Sequence, residues 1–520
     1  MQYNEEVQVR IEKISRMKNL WIIPFASKFD KKDYISSIIS RWNENFRDIN
    51  DIIAEPKIEI IAAWRLTLYR SFGKISFAKL QDSTWEIQIM FSRENCKINT
   101  WSEIKDSLSE EVSAFRFMEK LVDVWDFIWI KWELFMTHKQ ELTIFVQEFQ
   151  FLSKAIRSLP EKFHGIQDQE AIYRQRYLDL IMNKSSYDRF ILRSKFIKAL
   201  RDFYDENWFI EIETPILWNS ASWAAAAPFL THHNDYDEDF FMRISPETNL
   251  KKATVWRFER VFEIWKQFRN EWSDPSHMQE FTSVEHYAVY WDFEDNMEFT
   301  EKMFFYLMEK LNLPKIVKIK DKNWVIKDVD FGSPWQKIDY IKWVLETSGI
   351  DISKYENWDE EKLRNDIKAS GIEFEKMDNM SVATLIDYLY KKVLRPNIVW
   401  PAFVYNYPKT MQPLARISDK NSNIVEQFQV VINWWEVLKA YSELVDPILQ
   451  KKNFEDQAKA QAEWDTEATS PDDDFVLSME YWMPPQSGWW MGIDRIISLL
   501  TEQDNLRDVV LFPLTKPIKE

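Results

Sequence analysis

Glycine is scarce in this chain, at 7 of 520 residues, where ordinary proteins carry about 7%. Turns, helix ends and close backbone approaches need residues that tolerate φ > 0, so another residue type must stand at those places. Cysteine is scarcer still. The single Cys96 excludes a disulfide framework and a cysteine-built zinc site. No run of about 18 apolar residues occurs, so no membrane-spanning helix is expected. No basic, apolar and small-residue sequence opens the chain, so no signal peptide is expected and the cytoplasm is the expected setting. A net charge of −17 argues against a nonspecific nucleic-acid coat, while a nucleic acid could still be bound on a local basic patch. Hydrophobic and charged contents of 45% and 29% are those of a soluble globular protein. The length allows two or more domains.

Tryptophan is abundant, at 26 residues. Together with glycine it makes up roughly the share, about 7%, that glycine alone usually has. The positions also fit. In Asp205-Glu206-Asn207-Trp208-Phe209 a Trp stands in a helix-to-strand turn, and in 487–495 Trp489 and Trp490 interrupt a Gly-rich loop. A surface rich in Trp would be an aggregation liability. The alternative is a gene that uses the opal codon UGA for glycine, translated as if UGA meant tryptophan. On that reading most Trp stand for Gly.

Residues 1–55 are charged with helical spacing of Val7, Ile11, Ile14 and Met17, and read as a helical extension. Short strands are expected at 58–66, 75–80, 85–91, 127–135 and 142–146. Five such strands predict a small barrel over 56–152, with an OB-fold as the candidate. A charged helical excursion is expected at 94–120. A polar connector follows at 153–172, then an α+β region over 173–520. That region holds a long helix near 185–207, a helix-rich insertion near 335–395 and a solvated acidic segment at 456–474.

Phe268-Arg269-Asn270-Glu271-Trp272 follows the apolar run 258–264 and reads as a strand leading into a loop. Arg offers a planar fork of donors for phosphate or carboxylate. Gly492-Ile493-Asp494-Arg495 opens an apolar helix and places Arg495 in its first turn, where phosphate is favoured. Each pattern alone is weak; in this order and spacing they are specific. With Phe209-Ile210-Glu211-Ile212-Glu213-Thr214-Pro215, they resemble the three motifs of class II aminoacyl-tRNA synthetases. The segments 175–180, 228–234, 258–264 and 507–513 are most similar to the lysyl-tRNA synthetase family of bacterial type. That resemblance covers nearly the whole chain. Trp21, Trp64, Trp85, Trp125, Trp208, Trp223, Trp272, Trp482 and Trp490 fall where the family has glycine, whereas Trp489 falls where it tolerates a large residue.

The resemblance implies an α+β fold: an N-terminal OB-fold barrel plus a class II catalytic domain of antiparallel sheet flanked by helices. It implies a homodimer acting on L-lysine, ATP and tRNA(Lys), with Mg2+ and no membrane. Arg269 and Arg495 become the catalytic cations. Arg269, Glu271, His277, Phe281 and Arg495 become the ATP ligands, with Phe281 stacking on adenine. Glu247, Arg269, Glu285, Tyr287, Lys439 and Glu443 become the lysine ligands, Glu443 and Tyr287 taking the ε-ammonium. Glu436, helped by Glu443, becomes the metal ligand. Arg70, Phe77, Gln88 and Glu141 become the anticodon contacts, an aromatic beside hydrogen-bonding side chains as OB-folds hold single-stranded bases. The chain departs from the family at Gln429 (often Glu), Lys439 (Asn), Tyr441 (Phe) and Ala227 (often Arg). A sister synthetase for aspartate or asparagine is disfavoured by the acidic Glu247, Glu285 and Glu443. A synthetase-like protein that has lost tRNA charging is disfavoured by the retained barrel.

Overall fold

The computed structural model describes residues 4–40, 52, 60–99, 113–159, 168–219, 226–355, 358–374, 377–463 and 472–518. The chain divides into two compact units, Met1–Gly165 and Ile166–Glu520.

In the first unit, helix α1 (Glu5–Asn19) starts where the Asn4 side chain accepts from the Val7 N–H, satisfying one of the free donors of the first turn. Six strands follow: β1 (Ile60–Phe72), β2 (Ile75–Gln81), β3 (Glu86–Ser92), β4 (Lys97–Ile98), β5 (Phe127–Met136) and β6 (Leu142–Ser153). Their order is β3-β2-β1-β5-β6-β4, and a parallel β3–β6 pairing closes the sheet on itself. The five long strands make the expected OB-like barrel. Alternation sets its core, with Ala78, Leu80, Ile87 and Ile89 pointing inward. Strands β1 and β6 run several residues past the expected stretches. The excursion between β3 and β5 contains β4 and a helix, Ala114–Lys120; residues 100–112 lie outside the described residues.

The second unit is built on one large sheet. Its strands are β7 (Ile210–Glu211), β8 (Arg260–Phe268), β9 (Glu280–Val289), β10 (Gln336–Asp339), β11 (Ala402–Pro408), β12 (Asn421–Ile432), β13 (Trp435–Ser442) and β14 (Gln486–Gly492). They lie in the order β10-β11-β12-β13-β14-β9-β8-β7. Pairings are antiparallel except at the two ends, where β10–β11 and β8–β7 are parallel. The long helix runs Lys184–Glu206 and ends at Asn207, followed by Trp208 at φ 66. A second helix, Phe293–Lys310, is started by a reciprocal capping box between Asp292 and Asp295. Both helices pack Phe203, Tyr204, Phe299 and Met303 against Phe262, Val284 and Trp489 of the sheet. The insertion differs from the sequence expectation at its start. Residues 336–339 are a strand of the main sheet, and the helices follow at Tyr340–Ser348, Glu360–Ala369 and Val382–Leu389. The register of Gln336–Asp339 against Ala402–Tyr405 supplies hydrogen bonds that periodicity could not reveal.

Candidate active site

Strand alternation gives the large sheet two different faces. On one, His286 and Trp489 stack at 4.8 Å, and the Trp489 indole donates to Thr300 Oγ1 at 2.9 Å. On the other, Glu285, Tyr287, Gly488 and Trp490 border a cavity of about 500 Å³. Ten of the residues singled out in the sequence line it: Glu247, Arg269, Glu271, His277, Phe281, Glu285, Tyr287, Glu436, Lys439 and Arg495. They come from β9, β13, the loop after β8, the helix Glu247–Thr254 and the first turn of Ile493–Leu500.

One end of the cavity is acidic. Burial, with Glu247 nearby, pushes the Glu285 carboxyl up to about 8, against a hydrogen bond from Ser245 Oγ at 3.1 Å. Glu247 accepts from Lys251 Nζ at 2.7 Å and from the Tyr441 hydroxyl. Glu443 is not part of the lining. It lies behind it, 2.5 Å from Lys251 Nζ. Burial works against the Lys251 charge, yet Glu247 and Glu443 hold its pKa above the ordinary lysine value. A Cβ at Gly488 would stand 2.3 Å from Glu443 Oε1 and 2.4 Å from Tyr287 Cε1, so only glycine lets these two side chains approach the strand.

The other end is basic. The Arg269 guanidinium lies 5.2 Å from the centre of the Phe281 ring. Arg495 Nη1 donates to the Glu436 carbonyl at 2.5 Å, and its Nη2 lies 3.3 Å from His277 Nε2. His277 Nδ1 is 2.8 Å from Asp274 Oδ2. Lys439 Nζ donates to Gln412 Oε1 at 2.7 Å, and burial lowers its pKa. Burial works to raise the Glu436 carboxyl, but Arg395, Lys391 and Arg495 hold it below the ordinary value. Trp490 projects against Gly492, its indole N–H buried without an acceptor among the described residues. Trp223 lies outside the described residues.

The expected pairing of Glu436 with Glu443 around one ion is corrected by the geometry. They stand seven positions apart along extended chain, about 23 Å at the rise of a strand, and each has its own cationic partner, Arg395 and Lys251. Gln429, on the strand paired with β13, accepts at its amide oxygen from the Tyr407 hydroxyl at 2.8 Å. Among the described residues no three His, Cys, Asp or Glu cluster for a metal. The donor set therefore fits an ion carried in by a ligand and touched by one carboxylate, Glu436, as Mg2+ commonly is.

Four residues at the site escaped the sequence reading as ligands or partners: Ser245, Lys251, Gln412 and Arg395. In the sequence Lys251 is one of two adjacent lysines, Lys251 and Lys252. Only its four-residue spacing from Glu247 on a helix could have pointed to the pair.

In the first unit, Arg70 and Phe77 face each other across β1 and β2. Phe77 points away from the barrel core and packs with Phe72 at 6.2 Å and beside the small cluster of Met90, Phe135 and Phe145. Gln88 donates to Thr143 Oγ1 at 2.8 Å. Arg70 and Glu141 are exposed.

Residues 168–516 match the family model described as tRNA synthetases class II (D, K and N). The chain is 41% identical over 458 residues to a lysine–tRNA ligase of Aquifex aeolicus, covering 88% of this chain and 73% of that protein. It is 36% identical to the lysine–tRNA ligase of Carboxydothermus hydrogenoformans over 514 residues, 99% and 98% of the two chains. The likeness to the lysine–tRNA ligase of Lactococcus lactis is 36% over 516 residues, 99% of each. A cavity acidic at one end and rich in guanidinium at the other, on this sheet and with these relatives, places the chain in the class II aminoacyl-tRNA synthetase family of the D, K and N subgroup.

Proposed function

We propose that the chain is a lysine–tRNA ligase, which activates L-lysine with ATP and transfers the lysyl group to the 3′ end of tRNA(Lys). The observation that carries this reading is the polarity of the cavity: Glu247 and Glu285 border one end, Arg269 and Arg495 the other. A diamino acid needs carboxylates for its ammonium groups, and a triphosphate needs guanidinium. The lysine carboxylate attacks the α-phosphorus of ATP, forming the acyl-phosphate bond as pyrophosphate leaves. A ribose hydroxyl of the tRNA then attacks the acyl carbon and AMP leaves. The protein positions the reactants and neutralises phosphate charge.

In this reading Glu247 and Glu285 take the α-amino group, while Tyr287, with Glu443 behind the lining, takes the ε-ammonium. Arg269 bridges the carboxylate and α-phosphate, with Lys439 adding charge where relatives have Asn. Glu271 and Phe281 hold adenine; His277 and Arg495 meet the outer phosphates. Glu436 would hold a Mg2+ ion bound with ATP, which would supply further neutralisation of phosphate charge. The barrel, 56–152, reads the anticodon through Arg70, Phe77, Gln88 and Glu141, and the catalytic domain spans 173–520. The working form is a cytoplasmic homodimer, with 209–215 at the subunit contact.

A second reading concerns the tryptophans: most are glycine in the natural protein. Among the described residues, fourteen non-glycine residues have positive φ, and six are Trp: Trp21, Trp125, Trp208, Trp324, Trp434 and Trp482. A bulky residue is rarely found there. Trp208, Trp272 and Trp482 are 83%, 93% and 78% exposed, which also favours glycine. Trp489, buried and hydrogen-bonded, is a genuine tryptophan on this reading.

The test of activity is pyrophosphate exchange into ATP by the natural protein. Exchange should require lysine; equal or greater exchange with aspartate or asparagine would overturn the assignment.

A further inference from the structure

Glu436 is gripped twice, and by two different arginines. Its carbonyl accepts from Arg495 at 2.5 Å, and its carboxylate from Arg395 Nη1 at 2.8 Å. Arg395 stands in a short 3₁₀ turn, Arg395–Asn397, that returns the insertion to the sheet. Its side chain and that of Glu436 are 23% and 25% exposed, so the pair is neither sealed in the core nor free in solvent. Arginine has five N–H donors. Arg395 Nε is buried and has no acceptor among the described residues, so the guanidinium has donor capacity beyond its carboxylate. Gln429, which lines the same cavity, is neutral and already committed to Tyr407. Of the carboxylates that line this cavity with it, Glu271 and Asp494 included, Glu436 is the one on which Arg395 rests.

We propose that Arg395 is a third arginine of the triphosphate end, parked on Glu436 and donating to the outer phosphates when ATP binds. It brings, as fixed positive charge, part of what a protein-held metal ion would otherwise supply. The assignment rests on the ATP reading of this cavity. It adds the insertion to the catalytic apparatus, which otherwise comes from the large sheet and its adjoining loops and helices.

The test is calorimetric titration of the natural full-length protein with AMP, with ATP in EDTA and with ATP plus Mg2+. Arg395→Gln should leave the AMP dissociation constant within about twofold and weaken metal-free ATP at least about tenfold, the loss of one charge-assisted hydrogen bond. Arg395→Lys should recover most of the loss. Equal effects on AMP and ATP would make Arg395 a structural clamp and overturn the proposal, as would no effect on either. If the unsubstituted protein bound neither AMP nor ATP, the nucleotide reading itself would fall.

Discussion

The Lys251 ammonium sits 2.5 Å from the Glu443 carboxylate and 2.7 Å from that of Glu247. The rings of Tyr287, Tyr441 and Phe475 lie 5.6–5.8 Å away. The chain's own lysine therefore stands among the groups assigned to the substrate's amines. Removing one partner of a buried pair leaves uncompensated charge, at a cost of about 3–5 kcal/mol. Lys251→Met should accordingly lower the thermal midpoint sharply. Added L-lysine should recover more of that loss than added norleucine, which lacks the ε-ammonium. An unchanged midpoint would mean that the Lys251 ammonium contributes nothing to the stability of the fold.

Glu285 makes lysine binding depend on pH. Its carboxyl is protonated below about 8, whereas a substrate ammonium needs the ionised form. Binding below that value must release a proton, so affinity should rise with pH between about 6.5 and 8.5. Calorimetry in two buffers of different ionisation heat should find proton release near neutrality, fading above the Glu285 value. Proton uptake, or pH-independent affinity, would contradict the role given to Glu285.

Arg269 and Phe77 belong to different compact units, so their variants should separate two functions. Arg269→Ala should abolish adenylate formation and leave tRNA retention on filters nearly intact. Phe77→Ala should spare pyrophosphate exchange and weaken charging by about 1–3 kcal/mol, the worth of one lost base stack. Charging at the unsubstituted rate by the Phe77 variant would show that this ring serves only the barrel.

Trp208 stands at φ 66 and is 83% exposed. Such backbone strain costs of order 1–3 kcal/mol for a non-glycine residue. Trp208→Gly in the tryptophan-bearing chain should therefore stabilise it, read as a higher urea midpoint. Trp490 borders the cavity, so the tryptophan-bearing protein should bind ATP and lysine poorly and Trp490→Gly should restore binding. Efficient lysine activation with Trp at 490 would end the recoding argument. The codons at these positions test it directly.

The barrel was legible because five short strand patterns follow one another, whereas alternation alone left Phe77 open between core and surface; in the fold Ala78 and Leu80 belong to the barrel core and Phe77 packs on a separate small cluster. The cavity was legible through motif spacing, which brought Arg269 and Arg495 together from positions far apart in the chain. Periodicity could not reveal that Gln336–Asp339 joins the main sheet, because its strand partner, Ala402–Tyr405, is distant in sequence. Nor could it reveal Lys251 or Arg395. A lysine or arginine on a helix or turn has the same local pattern whether it meets solvent or a buried carboxylate. Its role depends on what the fold brings opposite.

Gly488 leaves no room for even one methyl group, since a Cβ there would collide with Glu443 and Tyr287. A ribosome that inserts alanine, or any larger residue, at this position makes a molecule that cannot close its amine pocket. The amine pocket therefore depends on glycine being decoded at this one codon.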